Sequence, residues 1–279
     1  MEYSRKVDHA IRLLRNIPQD GPIEVSYSGG KDSDVILELT KMAGIPYQAI
    51  YKNTSIDPPG TIQHAKEMGA IIVKPRLTFL QIVERKGIPS RWKRFCCSEL
   101  KGYKIHDRAI QGIRREESTK RAARYHEPEE CRLYPNGQKA KVYYPILEWT
   151  LEDVARFIEE RGIKLAPHYY DESGCPHYDR RLGCIGCPLK SDLGLADFEK
   201  YPRHLRNILT AYQKYMDNHR NTASYKLFDG KAINQAFFVL FTRSTEEYLV
   251  LKTGGLFPDQ AVDIQAFLEN HFGIAFDIK

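Results

Sequence analysis

Apolar and polar positions fall into two alternating periods over the first third of the chain. Ile23, Val25 and Tyr27 alternate with Glu24 and Ser26 as a half-buried strand does, and residues 34–42 carry apolar side chains at helical spacing. Residues 47–52 predict a second strand, 61–68 a helix, 70–73 a third strand and 79–86 another helix. Strands alternating with helices predict a parallel sheet wound by crossovers, with ligands beyond the carboxyl ends of its strands.

The pattern then loosens. Residues 90–141 read as a less regular basic region, after which Thr150, with Asp153 three residues on, predicts a capped helix running to Glu160 and stopping at Gly162. Residues 166–190 are loop-like and cysteine-rich, and the remainder is mostly helical. Over 201–219 the residues Leu205, Ile208, Leu209 and Tyr212 share one helix face; over 237–251 an apolar run suits packing on the domain or an oligomer contact. There is no internal repeat. The expected organisation is an α/β nucleotide-binding domain over 1–195, including the cysteine-rich segment, and a helical extension over 196–279.

Between the first strand and the first helix of this pattern lies Ser28-Gly29-Gly30-Lys31-Asp32-Ser33. Two glycines permit a sharp turn and leave backbone N–H groups uncovered, while the new helix points its positive end into the same space. Ser28 and Ser33 add hydroxyl donors, Lys31 a cation, and Asp32 a carboxylate suited to a metal ion or a cap. An ordinary turn before a capped helix is the plainer alternative, but the strand-loop-helix placement is the context a phosphate-binding loop requires.

Composition bounds this picture without deciding it. A chain of 279 residues can bury a substantial core, and its net charge of +6 favours acidic ligands such as nucleotides or nucleic acid. No stretch approaches the length of a membrane span and the first residues do not read as a signal peptide, so a cytoplasmic location is expected. In that compartment six cysteines are candidates for metal ligands or redox groups rather than a disulfide frame.

Four strings in order, SGGKDS at 28–33, CCSELK at 96–101, GIRREES at 112–118 and YPILEWTLEDV at 144–154, resemble the phosphoadenosine-phosphosulfate reductase branch of the PP-loop ATP pyrophosphatases. The resemblance spans about 20–190. It implies a doubly wound parallel sheet of the adenine nucleotide alpha-hydrolase type, with a nucleotide across it and its phosphate or sulfate end at Ser28, Gly29, Gly30, Lys31, Asp32 and Ser33. Arg114, Arg115 and Arg121 are expected at the same anionic end, with Lys31, Arg114 and Arg121 in catalytic roles. Where the family often has Asp-Thr-Gly after its second strand, this chain has Asn53-Thr54-Ser55, one carboxylate fewer.

The cysteines admit two frames. Cys96 and Cys97 with Cys184 and Cys187 resemble the [4Fe-4S] ligands of adenylylsulfate reductases. Cys175, Cys184 and Cys187 resemble part of the set in DNA-phosphorothioation ATP pyrophosphatases, where Leu193 replaces the fourth cysteine and Cys96 would complete it. Zinc is the alternative metal. Sulfonucleotide reductases carry a nucleophilic cysteine near the C-terminus, whereas here no cysteine follows Cys187. The expected function is therefore ATP-dependent adenylylation of a substrate for sulfur insertion, with a nucleic acid among the candidate acceptors, ATP and Mg²⁺ as substrate and a donor protein for sulfur or electrons. A divergent reductase acting on adenylylsulfate or its 3′-phosphorylated form, and a non-catalytic nucleotide- or partner-binding protein, are the alternatives.

Overall fold

The computed structural model describes residues 2–278. The chain forms two compact units, one made of the chain up to Pro75 and of Cys97–Gly183, the other of Arg76–Cys96 and the chain from Cys184 onward.

The first unit is α/β. Its elements run α1 (Tyr3–Arg15), β1 (Ile23–Tyr27), α2 (Lys31–Ala43), β2 (Tyr47–Lys52), α3 (Thr61–Glu67) and β3 (Ile71–Val73). After α4 (Phe79–Lys86), which belongs to the second unit, come α5 (Phe95–Lys101), of which Phe95 and Cys96 still belong to the second unit, β4 (Arg108–Ile110), α6 (Thr119–Arg124), β5 (Glu129–Leu133), β6 (Lys139–Tyr143) and α7 (Leu151–Arg161). The six strands lie in the order β3-β2-β1-β4-β6-β5. All neighbouring pairs are parallel except β5 with β6.

Ile23, Val25 and Tyr27 of β1 and Tyr51 of β2 pack with Leu14 of α1, Val35, Ile36 and Leu39 of α2, and Val154, Phe157 and Ile158 of α7. Alternation along a strand sends Glu24 and Ser26 to the opposite face. There the structure corrects the half-buried expectation for β1: Glu24 is 0% exposed, because a parallel sheet is covered on both faces. The helix boundaries follow local chemistry. Thr150 and Asp153 form a reciprocal capping box at the start of α7, and Gly162, at φ 59°, ends that helix in the left-handed region.

The second unit is helical: α4, α8 (Leu195–Lys200), α9 (Pro202–Asp217), α10 (Ala223–Leu227), α11 (Ala232–Phe241), α12 (Thr245–Thr253) and α13 (Ile264–Phe272). Leu205, Ile208, Leu209 and Tyr212 form the buried face of α9, as their spacing predicts. The apolar run over 237–251 is divided between α11 and α12, with Ser244 capping α12 by accepting from the Glu247 N–H. Among the described residues, no helix is long and apolar enough to cross a membrane.

Candidate functional site

Strand β1 ends at Tyr27 and helix α2 opens at Lys31, so the glycine turn lies at the carboxyl end of a central strand. Gly29 has φ 75°, and a Cβ there would stand 2.8 Å from Thr61 Cγ2, so both conformation and space require glycine. Ser33 Oγ donates to the Gly30 carbonyl at 2.6 Å and Ser28 Oγ donates to Ser33 Oγ at 3.2 Å. The Lys31 N–H donates to the Tyr169 hydroxyl at 3.1 Å, and Lys31 Nζ donates to the Arg180 carbonyl at 3.2 Å. Burial lowers the Lys31 pKa, against the raising effect of Asp32.

This turn forms part of a cavity of about 530 Å³. Arg121 and Arg181 also line it; Arg121 is paired with Glu117, and Arg181 donates to the Glu117 carbonyl at 2.6 Å. Arg114 is buried, donating through Nε to Asp32 at 2.6 Å and through Nη1 to Glu116 at 2.7 Å. It reaches the cavity through Asp32, whose carboxylate it orients. Lys31, Lys52, Lys101, Lys104, Arg121 and Arg181 thus face Glu24, Asp32 and Glu117 across one cavity, six cationic groups against three anionic ones.

The inner wall holds a charged set on the sheet face itself. Lys104 Nζ and Lys52 Nζ approach Glu24 Oε1 at 3.0 and 3.5 Å, and the Ile105 N–H donates to Glu24 Oε2 at 2.7 Å. Burial alone would raise the Glu24 carboxyl, but the two ammonium groups outweigh it and hold the pKa below its ordinary value. Burial, reinforced by neighbouring Lys104, brings Lys52 down to about 8. On the other side of β1, beneath the loop, the Tyr27 hydroxyl donates to Asp34, and His64 Nε2 lies 3.1 Å from the same carboxylate. All three residues are buried, and they tie β1, α2 and α3 together below the turn.

Of the residues singled out from sequence, Ser28, Gly30, Lys31, Asp32, Ser33 and Arg121 line the cavity, with Gly29 between them in the turn. Arg115 is engaged elsewhere: it donates to the Tyr125 carbonyl at 2.6 Å and pairs with Glu148 at 2.5 Å. Arg181, Tyr169, Lys52, Lys101 and Lys104 join the cavity without belonging to the SGGKDS signal. Lys52 was legible only as the end of a strand, and Lys104 lies in a loop with no motif of its own.

The candidate thiolates are divided. Cys97 and Cys175 belong to the first unit, and Cys96, Cys184 and Cys187 to the second. Cys175 is exposed on a loop whose N–H donates to Asp171 at 2.9 Å. Among the described residues, no three histidine, cysteine, aspartate or glutamate side chains are grouped to hold a metal ion.

A mostly parallel α/β sheet with a glycine turn and cationic cavity at the end of a central strand defines a phosphate-binding class of domain. Residues 22–190 match the phosphoadenosine phosphosulfate reductase domain, and the chain belongs to that family. An uncharacterized 37.8 kDa protein of Escherichia phage 186 is 33% identical over 145 residues, covering 47% of this chain and 41% of the relative. An uncharacterized protein of Methanocaldococcus jannaschii is 29% identical over 183 residues, covering 60% and 41%. The chain thus spans about two fifths of the length of these curated relatives.

Similar solved structures include the FMN adenylyltransferase of Candida glabrata, at TM-score 0.44 and 15% identity over 66% of this chain and 62% of that one. The phosphoadenylyl-sulfate reductase of Candida auris gives TM-score 0.42 and 16% identity over 59% and 87%. The U34-tRNA thiolase NcsA of Methanococcus maripaludis, solved with its [4Fe-4S] cluster, gives 0.39 and 17% over 78% and 81%.

Proposed function

We infer that the cavity binds the phosphate groups of an adenine nucleotide and that the chain is an ATP pyrophosphatase-type enzyme, transferring an adenylyl group to an acceptor oxygen ahead of sulfur insertion. The observation that carries this reading is the convergence of Lys31, Arg121 and Arg181 with the Ser28–Ser33 turn in one cavity. Cationic and N–H donors fixed around a phosphate stabilise charge as it develops during transfer, with no reorganisation at the moment of reaction. With the magnesium salt of ATP as substrate, the acceptor oxygen attacks the α-phosphorus, the bond to the β-bridging oxygen breaks, and pyrophosphate leaves with that electron pair. Hydrosulfide, brought by a donor protein, then attacks the acceptor carbon, displaces AMP and loses its proton to water.

Lys31 is assigned to the leaving phosphates, the Ser28 and Ser33 hydroxyls to the nonbridging oxygens, and Arg121 to the charge of the transferred group. Arg114 acts through Asp32 as a positioning residue. A nucleic acid is one acceptor class that the basic character of the chain suits.

The test follows α-labelled ATP with candidate acceptors and hydrosulfide, alongside adenylylsulfate with a thiol reductant. Pyrophosphate and AMP formed in equal amounts, and lost in Lys31→Met, support the reading. Sulfite release from adenylylsulfate without ATP consumption moves the chain to the reductase class, and nucleotide binding without turnover makes it a binding protein. The cluster is a separate part of the proposal, assigned either to Cys96, Cys97, Cys184 and Cys187 or to Cys175, Cys184 and Cys187 completed by Cys96. It requires roughly four irons and four sulfides per anaerobically purified chain, lost in Cys187→Ser; one bound zinc or no metal removes it. The adenylyl transfer above does not pass through it.

A further inference from the structure

Residues 85–94, RKGIPSRWKR, lie wholly in the second unit and carry the cations Arg85, Lys86, Arg91, Lys93 and Arg94 with no carboxylate among them. None of them lines the phosphate cavity. Within this segment Trp92 is 94% exposed. The backbone beneath it is fixed: the Ser90 N–H donates to the Lys93 carbonyl at 3.1 Å, and Ser90 Oγ accepts from the Trp92 and Lys93 N–H groups at 3.3 and 3.1 Å. Arg91 fastens the same turn, donating through Nε to the Pro188 carbonyl at 3.0 Å and through Nη2 to the Lys190 carbonyl at 2.8 Å. A hydrogen-bonded turn thus holds an indole out in water, where the fold gains almost nothing from its large apolar area.

A second aromatic surface lies beside it. Helix α4 ends at Lys86, and a Cβ on Gly87 would stand 3.1 Å from the Tyr215 ring, so the segment passes against that ring as it leaves the helix. Tyr215 stacks on His219, four residues on, with ring centroids 4.0 Å apart and 20° between the planes, and His219 is exposed. Five residues separate Gly87 from Trp92, at most about 18 Å of chain, which keeps the indole and the Tyr215–His219 pair within reach of one short strand. A membrane surface calls for a broad apolar helix face, and a protein hot spot for neighbours that close water out. Here the neighbours of the indole in sequence are Arg91, Lys93 and Arg94. Single-stranded nucleic acid matches both features, a flat base for the indole and phosphates for the cations around it. A duplex does not, because its base faces are already stacked on one another.

We propose that residues 85–94, with Trp92 at the tip of its turn and the Tyr215–His219 pair beside it, form a docking surface for single-stranded nucleic acid, with an unpaired base stacked on the Trp92 indole and the strand's phosphates met by the flanking cations. The surface stands on its own residues. Nucleic acid is one acceptor class for the adenylyl transfer proposed above, but binding at Trp92 requires neither that transfer nor ATP.

The chain has two tryptophans and Trp149 is 2% exposed, so quenching of the emission by an added strand reports on Trp92. Short oligothymidylate and oligouridylate are titrated into the intact chain without ATP, and at least one is expected to quench the emission as it binds. Followed by anisotropy of the labelled strand, Trp92→Ala is expected to weaken binding at least fivefold, and an abasic strand of equal length and charge to bind wild type at least fivefold more weakly. Lys93→Gln is expected to reduce the salt slope of binding by about 0.7. No quenching by either strand, equal binding of the abasic strand, or unchanged affinity in Trp92→Ala overturns the surface. Tighter binding of a duplex of the same length also overturns it, as does a blue shift of the emission on phosphatidylglycerol vesicles with no strand binding, which gives the indole to a membrane. ATP binding is measured on the same samples and keeps the two readings apart. Strand binding lost while ATP turns over sinks the surface alone, and strand binding kept without turnover sinks the ATP reading alone.

Discussion

Lys31 and Lys52 are both lysines at the end of a strand or the start of a helix, but they differ in what surrounds them. Lys31 is packed under the Tyr169 ring and the Arg180 carbonyl, in a position to meet a phosphate. A hydrogen bond from a charged group contributes about 1.5–3 kcal/mol, so Lys31→Met is expected to weaken ATP binding roughly ten- to a hundredfold, measured by calorimetry. Retained affinity would remove Lys31 from the phosphate site. Lys52 faces Glu24, Lys104, Tyr103 and Lys101, and its pKa of about 8 sets a pH test. Only the neutral amine is acylated, so Lys52 labelling should level off above pH 8, while exposed lysines keep gaining reactivity towards about 10.4. A Lys52 profile matching the exposed lysines would show that burial does not depress it. Glu24→Gln leaves two ammonium groups without their carboxylate and is expected to cost about 3–5 kcal/mol in urea unfolding, far more than a surface substitution.

At the scale of elements, much of the first unit was legible because its strands and helices carry strong local periods. β1, β2, β3, α2, α3 and α7 follow from alternation, helical spacing and the Thr150 cap. β4, β5 and β6 did not stand out in the basic region, for physical reasons. β4 is three residues long, and β5 is an edge strand reading Glu-Glu-Cys-Arg-Leu, charged as exposed edges often are. The turn was legible because its chemistry is contiguous; the Lys104 wall was not, because Glu24 sits 80 residues away from it in sequence. The alternation of β1 is ambiguous in the same way, since a polar residue every second position marks either solvent or a polar cavity. In the second unit, Gly186 has φ 66° and a Cβ there would overlap the Phe198 ring of α8. Gly186→Ala therefore meets an unfavourable backbone and an overpacked contact together, with an expected loss of about 1–3 kcal/mol in urea unfolding. An unchanged midpoint would mean that α8 gives way without cost.

For the whole molecule, the family match ends at residue 190, while the helical unit continues to the end of the described chain. Every residue lining the charged cavity lies in the first unit. A ligand that binds only the folded cavity stabilises it by about 2.7 kcal/mol at a hundredfold excess over Kd, and slows exchange of the amides it holds closed. Hydrogen exchange on the intact chain with ATP and magnesium is therefore expected to slow at 28–34, 111–121 and 180–182. Exchange over α9 and α11, which contribute nothing to the cavity lining, should stay as it was. Slowing confined to α9 and α11 would place nucleotide recognition in the helical unit and detach the SGGKDS turn from it.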